Sequence, residues 1–287
     1  MKYYNYNIDP TRKILVTNNN GIFLLYKYLL NQKGGKIICN KIMDKDSCHK
    51  KKKCYWNNRI QYCATKTNTI TKKTRKYTHT LIFLHGFTMS GKDMKNFTET
   101  IIKMLPNHLK WKILLPNAPL RKITIYEGDM ERAWYDYYTD NVHTEEEINI
   151  THLEESRQMI HKLIDKQVKY HGNSKKVFLG GYSQGCCQAL DAGLTYAYEL
   201  GGIIGIKGHI PSPTKEFPLT RQFLWVCHGT SDESIGYNVA VSSYEEYREK
   251  IPINFVTLQN AEHELEDGFK KRIYQNLRKW LFSRLNV

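Results

Sequence analysis

The chain has 287 residues, 41% hydrophobic and 12% aromatic, enough apolar mass for one large α/β domain and too much for a wholly disordered chain. No apolar run approaches the roughly 20 residues that span a bilayer; the best stretch, Gly21 to Leu30, is too short and contains Lys27. The net charge of +15 sits in residues 1–76, which hold 18 Lys+Arg against 3 Asp+Glu, whereas residues 77–287 carry 25 of each.

A charge step of that size marks a domain boundary. It sets a basic extension, residues 1–77, ahead of a domain over residues 78–287. Met1 to Asp9 is polar and tyrosine-rich and lacks the apolar core of a secretory signal, so a soluble cytoplasmic protein is expected. In the extension, Lys13 to Thr17 and Ile22 to Tyr26 flank Asn18-Asn19-Asn20-Gly21 and read as a hairpin. The polar run Thr65 to Lys76 reads as a linker.

Cys39, Cys48, Cys54 and Cys63 follow a C-x8-C-x5-C-x8-C spacing that lacks the close pairs of common zinc sites. A zinc site with His49, a small disulfide module around Trp56 and free thiols all stay open. The lysine run Lys50 to Lys53 and the charge around it suit weak contact with a polyanion or an anionic membrane. No interleaved aromatic motif argues for specific nucleic-acid reading.

From Thr80 strands and helices alternate. Strands are expected at Thr80–Leu84, Trp111–Leu115, Lys176–Gly180, Gly202–Ile206, Gln222–Cys227 and Ile253–Leu258. Helices are expected at Asp93–Met104, Glu145–Tyr170, Gln184–Leu200 and Leu265–Leu285, with a long aromatic loop over residues 117–143. Apolar strands in βαβα order imply a mainly parallel, doubly wound sheet covered on both faces, and Cys186, Cys187 and Cys227 read as buried thiols in a reducing compartment. There is no internal repeat and no Gly-rich phosphate loop.

Gly181-Tyr182-Ser183-Gln184-Gly185 matches G-x-S-x-G between a strand and a helix. A nucleophile on such a sharp turn needs small neighbours, and in that arrangement the acid and base come later in the chain, each after a strand. His263 is the one histidine of 11 beyond Asp232, and it precedes the last helix. Asp232 follows its strand through His228-Gly229-Thr230-Ser231, with Glu233 as its serious rival; Asp191, Glu245, Glu246 and Glu249 fall on helices. Ser183 is thus the candidate nucleophile, His263 the general base and Asp232 the group that holds the imidazole tautomer. Two backbone N–H groups, of Gln184 and of Phe87 in His85-Gly86-Phe87-Thr88, are the candidate oxyanion donors. His85 and His228 read as turn-forming residues, and Asp136 as a structural acceptor. Trp134 and Tyr135 are the candidate substrate-binding residues; with Tyr137 and Tyr138 they read either as ordinary core or as a partly exposed acyl-pocket wall. The pattern calls for no metal and no organic cofactor.

Six motifs in order resemble the acyl-protein thioesterase/carboxylesterase (lysophospholipase-like) family: His85-Gly86 with Gly91, Pro116-Asn117-Ala118-Pro119, Trp134-Tyr135-Asp136, Gly181 to Gly185, His228-Gly229-Thr230-Ser231-Asp232, and His263. The resemblance covers about residues 78–287. It implies the α/β-hydrolase fold and a serine esterase or thioesterase working through an acyl-serine, with lysophospholipids as the alternative substrate and a catalytically silent binding module as the rival class. Cys186, Thr88, Glu233 and Asn260-Ala261-Glu262 depart from the family's glycines and proline without removing a catalytic group.

Overall fold

The computed structural model describes residues 16–18, 21–23, 54–57, 62–65, 76–216 and 221–287. The chain divides into two units, Met1–Lys73 and Thr74–Val287. In the first, β1 (Val16–Asn18) pairs antiparallel with β2 (Gly21–Phe23), which is the hairpin read from the Asn-Asn-Asn-Gly signal. A second antiparallel pair joins β3 (Cys54–Asn57) to β4 (Tyr62–Thr65), with Trp56 opposite Cys63 and Cys54 opposite Thr65. Cys39, Cys48, His49, the lysine run and residues 66–75 lie outside the described residues.

The second unit is built on β5 (His79–Leu84), β6 (Trp111–Leu114), β9 (Val177–Tyr182), β10 (Gly202–Ile206), β11 (Leu224–Gly229) and β12 (Ile253–Leu258). They form one sheet in the order β12-β11-β10-β9-β5-β6, and every pairing is parallel. Alternation along β5 sends Ile82 and Leu84 to one face and Leu81 and Phe83 to the other. The first face is covered by α2 (Ile150–His171), α3 (Gln184–Leu194) and α4 (Tyr237–Glu245), through Leu153, Ile160, Leu190 and Tyr244. The second is covered by α1 (Lys95–Lys103) and α5 (Asp267–Leu285), through Phe97, Ile101, Ile273 and Leu277. Each such side chain contributes about 1.5–3 kcal/mol by leaving water, which is why strands apolar on both faces are held in the middle of the fold.

Three expectations need correction. The stretch read as a loop contains a hairpin, β7 (Leu120–Ile123) with β8 (Asp129–Arg132), turned by Glu127 and Gly128 at φ 53 and φ 90. The helix read from Glu145 starts at Ile150, where Asn149 caps it by accepting the His152 N–H at 3.1 Å. The nucleophile helix ends at Leu194, not Leu200; Thr195 caps it, donating its N–H to Asp191 O at 3.2 Å and its hydroxyl to the same oxygen at 2.7 Å. Smaller shifts of one or two residues occur at other ends; Gln222, read as strand, instead accepts the Leu200 N–H at 2.9 Å.

Candidate active site

The site forms where β9 gives way to α3. Ser183 stands at φ 54 and ψ −127, a region that L-residues rarely enter, so its backbone is strained. The turn is possible because of the flanking glycines. A Cβ on Gly181 would lie 2.0 Å from Gly185 O, and one on Gly185 would lie 2.3 Å from His85 O. The Ser183 N–H is drawn onto Ile206 O at 2.9 Å, which fixes the turn to the end of β10.

The parallel sheet delivers the other two groups to the same edge, at the carboxyl ends of β11 and β12. His263 Nε2 accepts from Ser183 Oγ at 2.8 Å, and His263 Nδ1 donates to Asp232 Oδ1 and Oδ2 at 2.8 and 2.9 Å. Asp232 Oδ1 also accepts the N–H groups of Ser234 and Ile235 at 3.0 and 2.9 Å, so the carboxylate cannot rotate freely. His228 Nε2 lies 3.3 Å from Asp232 Oδ2 and 2.8 Å from Ile235 O. Burial alone would raise the pKa of Asp232, but the hydrogen bonds from His228 and His263 outweigh it and hold the carboxyl far below its ordinary range.

The rival acids are elsewhere. Glu233 is exposed. Asp191 is buried and takes Arg157 Nε and Nη2 at 2.7 Å each together with the Thr214 hydroxyl at 2.7 Å. Glu245 pairs with Arg248 on the surface. His85 is a turn residue: Nδ1 donates to Gly86 O at 2.7 Å and Nε2 accepts from Ala118 N at 2.9 Å.

Of the two candidate oxyanion donors, Gln184 directly follows Ser183 and Phe87 lies on the loop after β5. Gln184 opens α3, where the N–H has no acceptor within the helix and the helix dipole favours negative charge. Gly86, which precedes Phe87, packs so closely that a Cβ there would be 3.4 Å from Ser183 Cβ. The following residue, Thr88, is pinned at φ 60 by donation of its N–H to Arg132 O at 2.9 Å, so the β7–β8 hairpin braces this loop.

Trp134 and Tyr135 do not form a partly exposed wall: they are 0% and 2% exposed. The Gln184 side chain, missed in the sequence, accepts Trp134 N–H at 2.8 Å and donates to Tyr135 O at 2.8 Å, while Trp134 Nε1 donates to His85 O at 2.8 Å. These residues lock the elbow to the hairpin region. Asp136 is a structural acceptor, taking Thr124 N–H and Oγ1 at 2.7 and 2.8 Å. The aromatic rings beside the oxyanion loop are instead half-buried Phe87 and Tyr137, with ring centroids 5.5 Å apart, and exposed Tyr126, 5.6 Å from Phe87. A separate groove of about 800 Å³ between α1 and α5 reaches Tyr182 and Glu264 but not the Ser183–His263–Asp232 group itself. Cys186, Cys187 and Cys227 are buried free thiols. Among the described residues no group of three or more His, Cys, Asp or Glu is arranged to hold a metal.

A family profile described as Phospholipase/Carboxylesterase matches residues 65–281. Acyl-protein thioesterase 1 of Schizosaccharomyces pombe is 38% identical over 143 residues, covering 50% of this chain and 60% of that relative. Acyl-protein thioesterase 1 homolog 2 of Dictyostelium discoideum is 29% identical over 218 residues, covering 73% of this chain and 96% of the relative. Among solved structures, Arabidopsis thaliana SOBER1 superposes with a TM-score of 0.63 at 23% identity, over 72% of this chain and 99% of that one, a likeness of fold.

Proposed function

The chain belongs to the phospholipase/carboxylesterase family of α/β-hydrolases, and we propose that Ser183, His263 and Asp232 carry its ester or thioester hydrolysis through an acyl-serine. One observation carries this reading: His263 is hydrogen-bonded at one nitrogen to Ser183 Oγ and at the other to Asp232. A serine hydroxyl is a poor nucleophile until a base takes its proton, and an imidazole that titrates near neutrality is suited to take and return it.

In the first half-reaction, Ser183 Oγ attacks the acyl carbon while His263 Nε2 takes the hydroxyl proton. The N–H groups of Gln184 and Phe87 receive the charge that develops on the carbonyl oxygen. His263 then gives its proton to the departing alkoxide or thiolate, leaving an acyl-serine. In the second half-reaction His263 draws a proton from water, the water oxygen attacks the acyl carbon, and the carboxylic acid leaves as Ser183 regains its proton. Asp232 stabilises the imidazolium in both halves without itself being protonated.

The proposed substrate class is the acyl thioester or ester, acyl-protein thioesters first, as the names of the relatives suggest. Lysophospholipid is the second reading, favoured by the family's phospholipase description. Phe87, Tyr126 and Tyr137 are the proposed aromatic surround of the acyl carbonyl. The basic extension, with its boundary near residue 77, is proposed to make weak, salt-sensitive contact with anionic membrane. No helix among the described residues is long and apolar enough to cross a membrane. Three buried free thiols suit the reducing cytoplasm, the compartment proposed. The test is a panel of p-nitrophenyl esters and acyl thioesters of graded length against the full chain and Ser183→Ala. Turnover lost in the variant supports the hydrolase. Absence of turnover and of a pre-steady-state burst on every substrate would favour the silent binding module.

A further inference from the structure

Lys207 follows the apolar strand β10, yet its side chain is wholly buried. Its backbone stands at φ 53, in the left-handed region that a lysine enters only under constraint. The residue is rooted on both sides. Its N–H donates to Cys227 O at 2.8 Å, and the carbonyl just before it, of Ile206, is the one that takes the Ser183 N–H. From this position the ammonium donates to Glu262 O and to Glu264 O, the latter at 2.5 Å. These carbonyls flank His263, whose own carbonyl accepts the Tyr182 hydroxyl at 3.0 Å.

Three consecutive backbone carbonyls, of residues 262, 263 and 264, are therefore held by donors rooted in β9 and at the end of β10. The need for such anchors follows from where His263 sits. The segment between β12 and α5 is irregular, with Asn260 at φ 60, and a group on a loop is placed less tightly than one on a strand or helix. Burial disfavours the lysine's charge, while Asp232, Glu264 and Glu266 favour it. A well-packed apolar side chain would avoid that desolvation, so an interior ammonium is a costly way to fill space.

We infer that Lys207 is a positioning residue for hydrolysis: its ammonium clamps the backbone on either side of His263 and so presets the imidazole between Ser183 and Asp232. The clamp rests on the triad reading above. It acts through the loop, and does not itself touch the reacting atoms.

The experiment compares the full chain with Lys207→Met and Lys207→Gly, using a short p-nitrophenyl ester and counting active sites by fluorophosphonate titration. Loosening the imidazole by about 1 Å should lower kcat per titrated serine roughly 10²-fold, with KM changed by less than about threefold. The downfield proton resonance of His263 Nδ1–H on Asp232 should broaden in both variants, a signature that a merely structural lysine would not move. Glycine suits the φ of 53, so Lys207→Gly carries the test if the methionine variant does not fold. n-Butylammonium matches the side chain deleted in Lys207→Gly and should restore kcat, whereas 1-butanol should not. Wild-type kcat per titrated serine in a folded variant, or equal rescue by the alcohol, overturns the clamp. Failure of the unmodified chain to label at Ser183 would instead overturn the triad reading.

Discussion

Asp232→Asn probes the site with almost no change of shape, and the structure dictates how the amide must sit. The oxygen at Oδ1 accepts two backbone N–H groups, of Ser234 and Ile235, so an amide NH2 placed there would face two donors. The NH2 therefore takes the Oδ2 position. There it meets His263 Nδ1 at 2.9 Å and His228 Nε2 at 3.3 Å. The amide oxygen keeps its contact with Nδ1 at 2.8 Å, but the new donor beside it competes for the same ring nitrogen and shifts His263 toward the tautomer protonated at Nε2, which points a proton at Ser183 Oγ and cannot accept one. Wrong-tautomer variants of such triads lose about 10⁴ in kcat, which corresponds to ~5 kcal/mol of transition-state stabilisation. The assay is steady-state hydrolysis of a p-nitrophenyl ester alongside a thermal melt, with exposed Glu233→Gln as control. A folded Asp232→Asn that keeps kcat within tenfold, or a Glu233→Gln that loses more, would refute the assignment of the acid.

Other consequences can be checked on the same material. Because folding depresses the Asp232 pKa, its contribution to stability is present above the unfolded carboxyl value of about 3.9 and fades as pH falls below it; urea melts should show the gap between wild type and Asp232→Asn shrinking in acid. His79 is lowered to about 4 by burial and by Lys176 and His171, so the neutral form is favoured in the fold and stability should fall as pH drops from 6.5 to about 4; His79→Phe should flatten that slope. Gly185→Ala should destabilise by about 3 kcal/mol in urea unfolding, since its Cβ meets His85 O at 2.3 Å and backbone must move. Ser183→Gly should be inactive yet about 1 kcal/mol more stable than Ser183→Ala, because glycine relieves the strained turn.

What could be read from the sequence follows from where chemistry forces a local pattern. The elbow was legible because so sharp a strand-to-helix turn needs glycines at fixed offsets, and the proximity of His263 to Asp232 because chain order leaves one histidine after that residue. The central strands were legible because burial on both faces demands unbroken apolar runs. The β7–β8 hairpin was not, since Leu120 and Met130 are 56% and 54% exposed and the strands lack an alternating pattern. For Trp134 and Tyr135 the sequence leaves core and pocket wall both open, because an aromatic pair in a loop does not reveal which way it packs; their burial decides for the core. The Gln184 side chain and Lys207 were missed for a related reason: each works by contacting backbone atoms distant in sequence, and backbone carbonyls leave no mark in a residue pattern. A lone lysine at the end of the run Gly202–Ile206 was the one available signal.

The most direct test of the central claim is fluorophosphonate labelling of the full chain, followed by peptide mass analysis. The account predicts one phosphonyl group on Ser183, slowed by roughly the same ~10⁴ in Asp232→Asn as turnover is and absent in Ser183→Ala. Labelling at another residue, or wild-type labelling of Ser183→Ala, would contradict it.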